Sequence, residues 1–166
     1  MFCKFSLRPV LQLAKCGDVR TNNDSKRYFD WLYYANIDLL AANELIDQPL
    51  CYNSVAFHCQ QAIEKAIKGY LLYRRHRLYD GHNLPWLCKQ AMQEDPHFGQ
   101  WLDRASMLNR FYIEARYPAD FLLRLDEETV MRVLTETAEM SRFIMKLVHF
   151  DFASYRYQGA PARKEE

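Results

Sequence analysis

Glycine and proline are scarce in this chain, five and six among 166 residues. Few breakers, with many Leu, Ala, Glu and Lys residues, favour helix over strand, and no alternating strand pattern of any length occurs. No run of about 18 apolar residues is present, so no membrane span is expected. A dominant charge is also missing. The 22 Lys and Arg residues nearly balance 21 Asp and Glu, for a net charge of +1. The chain as a whole therefore does not attract nucleic acid, and any anion site must be a local patch. The five cysteines, Cys3, Cys16, Cys51, Cys59 and Cys88, are odd in number and never spaced C-x-x-C. That argues against a disulfide or zinc framework and for a reduced, cytoplasmic protein with small buried thiols. His58, His76, His82, His97 and His149 form neither H-x-x-x-H nor H-E-x-x-H, so no metal or other cofactor is expected. Glycine-rich phosphate loops are absent. A nucleotide would have to be held by basic side chains and helix ends.

What remains is helical periodicity. Residues 1–25 form a basic extension, with Lys4, Arg8 and Lys15 interrupting its apolar positions, and are read as flexible. Asp24 or Ser25 can cap a first helix, in which Tyr28, Trp31, Leu32, Ala35, Leu39, Ala42 and Ile46 recur at helical spacing. It should end near Asp47, because Pro49 comes next. A second helix, about Tyr52 to Arg75, carries Val55, Cys59, Ala62, Ile63, Ala66, Ile67, Tyr70 and Leu71 on one seam. Gly69 inside it would permit a close helix crossing. Asn83 can cap a short helix from about Leu84 to Met92. A fourth helix spans about Phe98 to Ala115, with Trp101, Ala105, Leu108 and Tyr112 inward, and Pro118 interrupts helical geometry beyond it. The last helix, about Asp126 to Phe150, has acidic residues in its first turn, which suit the macrodipole. Its inward stripe is Val130, Val133, Leu134, Thr137, Ser141, Ile144 and Val148. The expected architecture is all-α, an antiparallel up-and-down bundle of four to five helices over residues 26–150, with a flexible tail at 151–166.

Chemistry-bearing residues are few. Lys65 and Lys68 are expected on the outer faces of the second helix with Gln60, Gln61 and Glu64, and Arg74, Arg75, His76 and Arg77 lie at its C-terminus. Cations there complement the helix dipole, or they form an anion-binding patch for nucleotide or RNA phosphate. No serine sits on a nucleophile elbow, and Asp126, Glu127 and Glu128 read as a helix first turn.

The segment FHCQQAIEKAIKGYLL, preceded by W..YANIDLLAANEL and followed by GHNL and YIEARYPADF, resembles the HEPN domain (higher eukaryotes and prokaryotes nucleotide-binding). The resemblance covers about Arg27 to Phe150. It implies a helical bundle that is usually a symmetric dimer and often sits beside a small nucleotidyltransferase in a toxin–antitoxin-like pair. Many such proteins are metal-independent endoribonucleases that carry an arginine followed four to six residues later by a histidine. Arg116 takes the arginine's place. The window behind it, Tyr117 to Leu123, holds no histidine, and Asp120 is its sole ionisable group apart from the Tyr117 phenol. A neutral imidazole accepts a hydroxyl proton near pH 7 far better than an ordinary carboxylate.

The sequence therefore reads as a non-catalytic nucleotide- or RNA-binding module, or an accessory subunit of a nucleotidyltransferase-type system. Lys65, Lys68 and Arg116 are its expected anion contacts. A ribonuclease with a displaced set (Arg116, with Asp120 or His82 as base) is the alternative. A purely structural dimer whose face includes Trp86, Phe121 and Tyr155 is the third.

Overall fold

The computed structural model describes residues 24–114 and 125–155, and everything stated below about structure concerns those residues. They form six α-helices, α1 (Tyr28–Leu45), α2 (Tyr52–Arg75), α3 (Leu84–Met92), α4 (Leu102–Asn109), α5 (Phe111–Glu114) and α6 (Glu127–Leu147). Short 3-10 turns at Pro49–Cys51 and Pro96–Trp101 lie between them, and the described residues contain no strand. The all-α bundle expected from periodicity is the fold observed. Among the described residues, no helix is long and apolar enough to cross a membrane.

α2 is the central element. Its whole expected seam is buried, from Val55 to Leu71, and so are Ala56, Gln60, Glu64, Lys68, Gly69 and Leu72. This corrects the expectation that Gln60, Glu64 and Lys68 lie on outer faces. α1 packs along one side of α2, α6 along another, and α3 to α5 close a third, so a position off the apolar seam still meets a neighbour. The α1–α2 crossing is close because Gly69 has no side chain. A Cβ there would stand 2.9 Å from Leu32 Cδ2 and 3.1 Å from the Tyr28 carbonyl oxygen.

Helix ends follow local chemistry, with some departures. Asn83 caps α3, its Oδ1 accepting from the Trp86 N–H at 2.8 Å, and Asp126 caps α6 through the Thr129 N–H at 2.8 Å. The α1 cap position falls instead on Arg27, whose side chain makes no cap bond. Ser25, expected as a cap, accepts from the Arg27 N–H and donates to Asp30 Oδ2. The single fourth helix expected from Phe98 is divided into a 3-10 turn capped by Asp95, α4 and α5, with Arg110 between the last two. α6 ends at Leu147, three residues early, as His149 adopts φ 52°. Residues 151–155 fold back on α1, with Phe152 stacked on Tyr33. Tyr155 donates to Asp30 Oδ1 at 2.7 Å and lies against the rings of Phe29, Tyr33 and Phe150.

Candidate functional site

The polar residues of the QQAIEKAIK segment build one connected seam along α2. Gln60, Glu64 and Lys68 stand four residues apart and share a helix face. Gln61 donates to Gln60 Oε1 at 2.7 Å, and Gln60 Nε2 donates to Glu64 Oε2 at 3.0 Å. Glu64 Oε1 accepts from Lys68 Nζ at 3.0 Å and contacts His82 Nδ1 at 2.9 Å. The Lys68 ammonium also lies over the Trp31 ring, 5.6 Å from its centroid, in a favourable cation–π position.

His82 comes from the loop between α2 and α3, set in place by the turn at Gly81 (φ 90°). Its ring stacks on Tyr112 of α5, with centroids 4.5 Å apart and planes 15° from parallel. Because an ionised Glu64 can only accept, the hydrogen of a neutral His82 belongs on Nδ1. Nε2 is then the acceptor nitrogen. The side chain is 51% exposed, whereas that of Glu64 is almost fully covered. The arrangement is a carboxylate-oriented imidazole at the edge of a buried ion pair.

A second carboxylate lies on α1. Asp38 accepts from Lys65 Nζ through Oδ2 and meets His58 Nδ1 through Oδ1 at 3.0 Å. The basic run at the end of α2 is likewise engaged within the chain. Arg75 donates to Glu94, Tyr79, Gln90 and Gln93, and so ties α2 to α3 and the turn after it. Arg74 approaches Glu94 at 3.6 Å, and Arg77 lies over the Tyr79 ring. Hydrogen bonding from Arg75 holds the Glu94 carboxyl below its ordinary range, in spite of some desolvation.

The structure thus brings Lys68 and His82 together through Glu64 and places Lys65 separately on Asp38. Arg116, Asp120 and Phe121 lie outside the described residues. Trp86 is exposed beside Tyr79, and Tyr155 is half-buried against α1 of its own chain. The sequence reading missed Asp38, His58, Glu64, Trp31 and Tyr112 as members of these clusters. The four-residue spacing of Gln60, Glu64 and Lys68 was visible, but their burial was not. Among the described residues no three potential metal-ligating side chains form a cluster. Burial pushes the Cys59 thiol up to about 12 and the Cys88 thiol up to about 11. These are packing groups rather than nucleophiles.

A family model described as HEPN domain matches residues 28–148. The chain belongs to the HEPN domain family. Among solved structures, TT1696 from Thermus thermophilus is 26% identical, with a TM-score of 0.63 over 74% of this chain and 98% of that one. ST0689, described as an archaeal HEPN homologue, is 22% identical, with a TM-score of 0.57 over 75% of this chain and 99% of that one, and supports the fold alone. No curated protein matches the chain. The HEPN match ends at Val148, so the Tyr155 clasp falls beyond the matched region.

Proposed function

We infer that this HEPN protein is a non-catalytic, homodimeric accessory module of a nucleotidyltransferase-type, toxin–antitoxin-like system. One observation supports this reading most. Lys65 and Lys68, the candidate anion contacts on α2, already face carboxylates of their own chain. A phosphate would have to displace Asp38 or Glu64 to reach them, losing an existing ion pair for each one gained. Any nucleotide or RNA contact then centres on Arg116. The window after Arg116 lacks the histidine of the family's ribonucleases.

The test is calorimetric titration of the purified protein with ATP and with a short RNA at low salt. The expected outcome is weak, salt-sensitive binding that Arg116→Ala removes and Lys65→Gln leaves intact. Loss of binding in Lys65→Gln with Arg116→Ala unaffected overturns the reading. A second reading, ribonuclease with His82 as base, is favoured by the Glu64-oriented ring alone. Incubation with RNA in EDTA separates the two: cleavage by the wild type that His82→Ala abolishes selects the ribonuclease.

A further inference from the structure

Trp86 has no role in the site described above, yet it is 42% exposed. It stands in the first turn of α3, where its own N–H makes the capping bond to Asn83. Its ring leans on Tyr79, with centroids 5.7 Å apart, and Tyr79 is itself buried. The guanidiniums of Arg75 and Arg77 both approach the Tyr79 ring, 5.8 and 5.5 Å from its centroid. Arg75 also bonds Glu94, Gln90 and Gln93, and so braces the end of α2 against α3. Arg77 is exposed and meets no carboxylate among the described residues. Neither does Lys89, exposed one turn after Trp86 on the same side of α3.

An open indole on a braced surface, with free cations beside it, is the kind of anchor that protein interfaces use, where Trp, Tyr and Arg carry most of the binding. The cap and the Arg75 brace hold it in place beforehand, so little ordering remains to oppose association. The charges indicate the partner's sign. Between residues 74 and 89 four cations, Arg74, Arg75, Arg77 and Lys89, accompany one carboxylate, Asp80. The same charges argue against a nucleic-acid strand. Glu94 occupies Arg75 and draws on Arg74, which leaves two cations open, with Asp80 exposed in the same stretch. A strand's affinity grows with each phosphate neutralised, and two contacts supply little of it. Two cations near one ring match instead a few carboxylates grouped around an apolar side chain.

We propose that Trp86, Arg77 and Lys89 form a docking face for a different protein, which brings an acidic segment carrying an apolar side chain to the Trp86 ring. The face shares no residue with Arg116, Lys65 or Lys68, so it holds or fails independently of the anion contacts proposed above. The test is fluorescence anisotropy of short labelled peptides titrated with the full chain. One set has a central Phe, Leu or Trp among Asp and Glu residues, and the other has the same centres among Lys residues. Circular dichroism confirms that each protein variant is folded. Peptides of the acidic set are expected to bind and those of the basic set are not. Trp86→Ala weakens that binding about tenfold or more. Arg77→Glu and the surface change Lys89→Glu each weaken it about fivefold. Lys146→Glu, the same change of charge on exposed α6 surface, leaves it as in wild type. No binding by the acidic set, or a loss in Lys146→Glu equal to that in Lys89→Glu, overturns the proposal. So does a short single-stranded RNA whose binding Trp86→Ala abolishes, which makes the face a nucleic-acid platform, or a wild-type dimer that Trp86→Ala dissociates, which gives it to a second copy.

Discussion

Glu64 Oε1 is the oxygen on which Lys68 and His82 meet, and the carboxylate is nearly closed to solvent. An ion pair so enclosed adds little relative to an apolar pair of the same shape, but breaking it leaves a charge without its partner. Lys68→Met is therefore expected to destabilise the fold by about 3 kcal/mol, with much of the loss recovered when Glu64→Gln is added. Urea unfolding of the two single variants and the double variant measures this. Equal, additive losses would show that the two residues act independently. Asp30 supplies the pH-dependent counterpart. Burial pushes its carboxyl up, but hydrogen bonds from Ser25, Tyr155 and Arg27, with the Arg27 charge, outweigh that and hold it below the ordinary 3.8. A carboxyl depressed on folding contributes stability above its unfolded pKa and loses it as pH falls through the folded value. Asp30→Asn is expected to cost about 2 kcal/mol at pH 7. The gap between variant and wild type should narrow as the medium is acidified below 3.8. Urea midpoints at neutral and acid pH test this, and a gap independent of pH would contradict it.

The α1–α2 crossing makes Gly69 a matter of helix geometry as much as of propensity. Alanine would favour the isolated helix by about 1 kcal/mol, yet its Cβ meets Leu32 at 2.9 Å. A branched side chain cannot be absorbed by moving Leu32 alone, because the Tyr28 carbonyl stands 3.1 Å away. Gly69→Val is expected to destabilise by about 2 kcal/mol or more through overpacking, read as a lowered thermal midpoint. An unchanged midpoint would mean the helices separate easily. This crossing was legible from one glycine in an otherwise apolar seam, as were the limits of α2 and α3 and the Asn83 cap. These features are local, set by spacing and by one capping side chain. The full burial of α2 was not legible, since Gln60, Glu64 and Lys68 are polar by type and their enclosure depends on three neighbouring layers. The division of the fourth helix was hidden too. Its inward residues Trp101, Ala105 and Leu108 keep a helical spacing, and the 3-10 geometry before α4 leaves that pattern unchanged.

Across the whole molecule, Asp30 gathers Ser25, Arg27 and Tyr155, so the two ends of the described fold are fastened at one carboxylate. Ending the chain after Phe150 removes the Tyr155 hydroxyl and its contacts with Phe29, Tyr33 and Phe150. Such a truncation is expected to lose about 2 kcal/mol by the hydrogen bond to a charged group and the ring packing. Tyr155→Phe, which keeps the ring, should lose about half of that. Chemical denaturation of both forms distinguishes ring from hydroxyl, and a truncated chain as stable as the full one would show that the clasp contributes nothing. The clasp also bears on the order of events during synthesis. The Tyr155–Asp30 hydrogen bond closes a separation of 125 residues, whereas α1 and α2 are neighbours along the chain. On a ribosome making the protein from its first residue, the helical hairpin can pair early. The aromatic side of α1 at Phe29 and Tyr33 cannot be covered by Tyr155 until α6 and the residues after it have emerged. For that interval the nascent domain carries an unsealed aromatic surface, open to chaperones and to other unfinished chains.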